Sequence, residues 1–168
     1  MVHIEEIAAE DTVLWFVNEE RRRAGVPPLQ ASRAVRAAYS DQLRDWLRAD
    51  DPDDLWDAPA AASARARGVA DLGVEVVHDR LACFDLELGD MNDPDVRVGD
   101  EHCEGMVTAL VEGPSFSGPL LDPTPTDVGL VLVHQSIATD PISWRTWVGT
   151  LLVRRTVAGS TGRGEQRE

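Results

Sequence analysis

Lysine does not occur in this sequence: all sixteen basic side chains among its 168 residues are arginine. That absence excludes Schiff-base catalysis, a phosphate-loop lysine and any Ser–Lys nucleophile. Positive charge is scarce as well, because thirty acidic residues leave a formal net charge of −14. Phosphate binding relies on a concentrated basic surface, so neither nucleic acid nor an anionic membrane face is an expected partner. No apolar run reaches the roughly 18 residues of a membrane span. The opening "MVHIEEIAAEDTV" has no basic stretch followed by an apolar one, so no signal peptide and a cytoplasmic location are expected. Cys83 and Cys103 are the only cysteines, too few for a disulfide framework and not spaced for zinc. Internal repeats, a Gly-x-Ser-x-Gly elbow, His-Glu-x-x-His and a dinucleotide fingerprint are also missing.

What is present suffices for a core. Hydrophobic residues make up 43% and include five tryptophans, which fits one domain over residues 1–155 with a disordered tail over 156–168. Richness in Ala, Arg, Asp, Gly and Val, together with the missing lysine, looks like the codon bias of a GC-rich bacterial gene. Asp11 reads as an N-cap for "TVLWFVNEERRRA", whose arginines gather at the negative end of the helix dipole. Gly25 is the expected left-handed stop, and Pro27 and Pro28 prevent continuation. A second helix is expected over 31–47, with Val35, Tyr39, Leu43 and Trp46 on its core face. The acidic loop "ADDPDDLWDAP" follows, then a short helix ending near Gly68.

The second half reads differently. "VEVVHD" and "LACFDLEL" are two short strand candidates. Asp100 can cap a third helix with Cys103, Val107 and Leu110 along one face. "PSFSGPLLDPTPT" is too rich in proline and glycine to be regular. "DVGLVLVHQ" and "WRTWVGTLLVRR" form an expected antiparallel pair. Helices around a small antiparallel sheet make an α+β fold.

The segment "LWFVNEERRRAGVPPLQASRAVRAAYSDQL" resembles the opening of CAP domains (cysteine-rich secretory proteins, antigen 5, pathogenesis-related 1), particularly bacterial ones. Asn18, Arg21 or Arg22, Gly25, Pro28, Leu29, Val35 and Ala38 fall in that pattern. "VTALVEGPSFSGPLLDPTPTDVGLVLV" resembles the family's later Trp-x-x-Ser-Pro-Gly-His segment and following strand, through Pro114, Leu120, Leu121, Asp122, Pro123, Asp127, Val128 and Gly129. The likeness covers residues 11 to 155. It implies a three-layer α-β-α sandwich of the CAP/PR-1-like type, in which Gly25 to Leu29 turn the first helix onto the second.

The resemblance also implies a cleft with two histidines and two acidic residues, which in some members hold a divalent metal. Here those positions fall on Phe116, on Asp50 or Asp51, and on Val74 with Glu75 beside it. Leu110 stands for a tryptophan of the third helix and Tyr39 for a histidine of the second. A phenylalanine can neither ligate a metal nor move a proton, so no metal and no cofactor are expected. Tyr39 could line the cleft, although its helical spacing favours plain core packing. His102 and Glu104 could pair with Cys103 as a thiol nucleophile, although a solvent-facing first helical turn is the simpler reading. Both cysteines read as small buried hydrophobes, and His78 and His134 as rim positions. Asp90, Asn92 and Glu101 sit at calcium-loop offsets, but Pro94 takes a ligand position and Asp95 the place of the required glycine.

The leading expectation is a divergent CAP-like domain that binds a small hydrophobic molecule in a cleft lined by Tyr39, Phe116, Leu110 and His102. The alternative is a metal-independent cyclase or hydrolase of a bacterial biosynthetic pathway, using Tyr39, Glu75, His102 and Asp50. The third is a protein-interaction module presenting Trp56 on its acidic loop. The oligomeric state is left open.

Overall fold

The structure, a computed structural model, describes residues 2–48, 56, 58–84, 100–137 and 143–156. Asp50, the Asp90–Gly99 stretch and the expected tail beyond Thr156 lie outside the described residues.

The chain begins with β1 (Val2–Glu6), which the sequence reading did not anticipate, and α1 (Glu10–Arg23). The helix starts one residue before Asp11. Its N-cap is Ala9, with no side-chain cap, while Glu10 and Asp11 place negative charge on the dipole's positive end. Its end follows the sequence closely. Gly25 takes φ +72, and Val26 N–H reaches the Arg21 carbonyl at 2.8 Å while Gly25 N–H reaches that of Arg22 at 3.1 Å. This is a Schellman closure, and the left-handed residue within it has no Cβ to clash.

The turn does not fold α1 onto the next helix. Leu29 is held by the Asn18 amide, which donates to its carbonyl (3.0 Å) and accepts from its N–H (2.8 Å). Gln30–Ala31 (β2) then runs parallel to Asp127 and Val128 at the sheet's edge. Ser32 caps α2 (Arg33–Leu47) by accepting from Val35 N–H. The turn therefore carries the chain around an edge of the sheet, and the two helices lie on opposite faces.

After Trp56 come α3 (Pro59–Ala70), β3 (Val74–Phe84), α4 (Asp100–Glu112) and the short α5 (Ser117–Leu121), then β4 (Asp127–Ile137) and β5 (Ser143–Arg155). Two of these differ from expectation. The expected pair of strands is one continuous β3, and α5 forms inside the proline-rich stretch because Pro119, with no N–H to donate, sits within its first turns. The sheet order is β1-β4-β5-β3, with β2 sharing the outer edge of β4 with β1. β3, β5, β4 and β1 are mutually antiparallel neighbours. The fold is α+β, as expected.

Alternation along the central strands places a core on each side. Val128, Leu130, Leu132, Val148 and Leu152 meet α1, α4 and α5 through Val13, Val17, Cys103, Val107, Leu110, Phe116 and Leu120. Val131, Val133, Trp147, Leu151 and Val153 meet α2 and α3 through Val35, Tyr39, Leu43, Leu47 and Val69. A β-bulge between Val76 and His78 changes the phase of β3. Val74 and Val76 join the α2 side, yet so does Leu81, while Ala82 and Phe84 join the other. Gly129 and Gly149 let α2 approach closely. A Cβ on Gly149 would stand 2.7 Å from the Tyr39 ring, and one on Gly129 would stand 3.0 Å from the backbone of Arg36.

Arg21 is fully buried. Its guanidinium donates to the carbonyls of Pro27 (2.7 Å), Leu120 (2.5 Å) and Asp122 (2.9 Å). Replacing it strands three acceptors beside a cavity, so Arg21→Met should lower unfolding free energy by about 3 kcal/mol or more. Arg22→Met should leave the urea midpoint nearly unchanged, since Arg22 is exposed and, among the described residues, its side chain pairs with Glu19 alone. Equal midpoints for the two variants would show that Arg21 holds nothing together.

Candidate functional site

Tyr39, Asp79, Arg65 and Trp56 form a polar cluster on the α2 side. Tyr39 donates its hydroxyl to Asp79 Oδ1 at 3.2 Å. Arg65 donates to the other Asp79 oxygen and, at 2.7 Å, to the Trp56 carbonyl. Its guanidinium carbon also sits 3.9 Å from the centre of the Trp56 ring. Burial raises the Asp79 pKa against the opposing pull of Arg65. It also raises the Tyr39 phenol well above its ordinary value, with the Asp79 charge adding to the effect. A phenol held this firmly protonated and closed from solvent is a structural hydrogen-bond donor.

Trp56 was expected on an exposed loop but is 4% exposed. It stacks edge-on with Trp46 (5.0 Å) and Tyr39 (5.7 Å), and Trp46 in turn meets Trp147 at 5.4 Å. The acidic residues around it in sequence gave no sign that one aromatic would turn inward.

The sheet separates the residues expected to line one cleft. Tyr39 belongs to the α2-side core, whereas Leu110 and Phe116 belong to the core beneath α1, α4 and α5. Phe116 is 6% exposed. His102 and Glu104 are exposed on α4, while Cys103 is buried between them. Glu75 is exposed at the sheet's edge and paired with Arg154. Cys83 is exposed on the outermost strand and is not a buried hydrophobe. His134 is buried, and burial lowers its pKa. Phe116 and Val74 supply no donor atoms at the positions the resemblance assigns to metal ligands. Among the described residues no three His, Cys, Asp or Glu side chains converge; the phenylalanine and valine, which lack donor atoms, are what do not fit that metal.

His78 was placed on a rim but forms a definite pair: its Nε2 lies 2.6 Å from Asp122 Oδ2. The other Asp122 oxygen accepts from Thr124 N–H at 2.8 Å. These bonds to the ionised form, the Thr124 N–H first, bring the Asp122 pKa down to about 2. Nearby, Arg80 donates to the Ser115 carbonyl at 3.1 Å. The sequence did carry a signal here, since "HDR" places three ionisable groups in the middle of an apolar strand.

A groove opens where the edge of β4 is left uncovered. β2 pairs with Asp127 and Val128, and β1 pairs from Val133 onward. Between them lies a space of about 270 Å³ lined by Leu14, Ala31, Val128 and Leu130, with Glu10, Asp11, Ser32, Arg33 and Arg36 also lining it. Its walls are tied together. Arg36 reaches Glu10 at 2.9 Å and Glu6 at 3.7 Å, and Arg44 reaches Glu6 at 3.2 Å. Ser40 also donates to Glu6.

Among solved structures, the chain is similar to an outer surface protein from Borrelia burgdorferi, with a TM-score of 0.51 and 14% identity over 89% of this chain and 99% of that one. At that identity the likeness concerns the fold alone. No protein-family model and no curated protein matches. Among the described residues no helix is long and apolar enough to cross a membrane.

Two outcomes follow from the clusters. Because the folded-state pKa of Asp122 lies below its ordinary value of 3.8, its contribution is complete above about pH 4 and is lost as pH falls towards 2. Asp122→Asn should therefore flatten the dependence of unfolding free energy on pH across that window, read by urea denaturation at stepped pH. An unchanged slope would place the acid sensitivity elsewhere. Tyr39→Phe should cost about 1 kcal/mol and leave small-molecule binding as in the parent. A loss of binding at unchanged stability would return Tyr39 to a ligand site.

Proposed function

We propose that the chain is a divergent CAP-like domain that binds a small organic molecule, and that the ligand occupies the groove at the uncovered edge of β4. The observation that carries the reading is the groove itself, with its apolar floor between two charged walls whose own ion pairs hold their spacing. Its size suits a ligand smaller than those of typical drug-sized pockets, which run to roughly 300–1,000 Å³. The CAP-like part rests on different residues. Asn18, Arg21, Gly25 and Leu29, which carry the resemblance, all build the turn that leads from α1 to β2. A cytoplasmic location belongs to the same proposal.

The enzyme reading gains less support. Of its described residues, Tyr39 is closed from solvent, while Glu75 and His102 lie on separate elements. His78 and Asp122 are the better acid–base pair, but among the described residues His78 meets no hydroxyl or thiol that it could activate. One observation favours a second reading as an interaction module. Trp15 on α1 is 59% exposed and stands edge-on to the half-buried Phe16 at 4.9 Å, an aromatic pair of the kind that anchors interfaces. A partner crosslinked in host cells in a Trp15-dependent manner would select that reading.

Native against denaturing mass spectrometry of the protein from its own host tests the ligand proposal. The expected result is a bound small molecule that Ala31→Trp, which fills the groove from its exposed rim, no longer retains. Undiminished retention by Ala31→Trp would move the site elsewhere. An apo mass in both proteins would count against ligand binding.

A further inference from the structure

We infer that the groove selects a small zwitterion with an apolar body, its ammonium group facing Asp11 and its carboxylate facing Arg33. This rests on reading the groove as the ligand site. Most of the charge around it is already neutralised. Arg36 and Arg44 are ion-paired with Glu10 and Glu6, and the second oxygen of Glu10 and the Nε of Arg36, which have no hydrogen-bond partner, are closed off from solvent and out of a ligand's reach. One carboxylate and one guanidinium remain. Asp11 and Arg33 both line the groove, both are exposed, and neither has an ion pair or side-chain hydrogen bond among the described residues.

The two charges stand on different walls, Asp11 in the first turn of α1 and Arg33 as the first residue of α2. Arg33 stands at the positive end of a fifteen-residue helix whose first turn contains no acidic residue, so that wall favours an anion. Ser32 keeps its own hydroxyl proton for donation, because its oxygen accepts from Val35 N–H at 3.3 Å. Asp11 offers the complementary acceptor. Between them, Leu14, Val128 and Leu130 provide the apolar floor, with Ala31 on the rim. A plain carboxylate would match Arg33 but leave Asp11 unmatched, and it would meet the repulsion of a chain of net charge −14. A plain amine would leave Arg33 unmatched. A molecule carrying both charges has no net charge and meets both walls.

The test is ¹H–¹⁵N correlation spectroscopy of the full chain titrated with L-leucine, isopentylamine, 4-methylpentanoate and isopentanol, which share one apolar body and differ in charge. Saturable shifts at residues 31–33 and 130 are expected with leucine, at affinity about tenfold above either singly charged analogue. Arg33→Gln should weaken leucine about tenfold and leave the amine unaffected, and Asp11→Asn should do so with the acid unaffected. If the amine, the acid or the alcohol binds the groove as tightly as leucine, the zwitterion inference falls while the groove remains a ligand site. Leucine binding that both variants leave intact would also overturn it. If none of the four shifts the groove residues, the inference and the proposed function fall together.

Discussion

A guanidinium buried as completely as that of Arg21 needs acceptors, and two distant stretches of chain supply three of them. Its partners are main-chain carbonyls at Pro27, Leu120 and Asp122. Burial lowers its pKa, and the nearby Asp122 charge opposes the shift. The arrangement ties the end of α1 to the turn after it and to the end of α5, about a hundred residues later. Asp122 extends the tie, since its carbonyl accepts from Arg21 while its carboxylate holds His78 on β3 and the N–H of Thr124.

The path around the sheet's edge depends on that junction. With the turn pinned by Arg21 and by the Asn18 amide, Gln30 and Ala31 fall into register beside Asp127 and Val128. Ser32 N–H then reaches the Val128 carbonyl at 2.9 Å, and the Ser32 side chain starts α2 on the opposite face. Gly129 is needed there because α2 begins almost in contact with β4. The groove is a by-product of the same geometry. β2 is too short to meet β1, so a length of β4 edge stays open between two helix beginnings, and the Glu6–Arg36–Glu10 pairs set its width.

The candidate site was legible only in parts. Gly25 to Leu29 do form the turn that their residue types announce, but it routes the chain past the sheet and does not stack two helices. Tyr39, Leu110 and Phe116 looked like the lining of one cleft because motif alignment says nothing about which face of a sheet a residue meets. Nothing in the sequence pairs Asp11 with Arg33, which stand twenty-two positions apart, the one resembling a helix cap and the other an ordinary surface charge. "VEVVHD" and "LACFDLEL" look like two strands parted at Arg80, but β3 runs through that residue without a break.

Local chemistry decided a good deal by itself. Gly25 and the two prolines dictate where α1 ends, the helical spacing of Val35, Tyr39 and Leu43 dictates the buried face of α2, and the alternation in β4 and β5 dictates a two-sided strand pair. These depend on backbone sterics and on side-chain periodicity, which act over a few residues. Tertiary structure alone decided that Trp56 turns inward, that β1 completes the sheet, that a bulge changes the phase of β3, and that Asp11 and Arg33 share a groove. Each of those depends on what the rest of the chain places opposite, and a burial or a charge pairing has no meaning until that second surface exists.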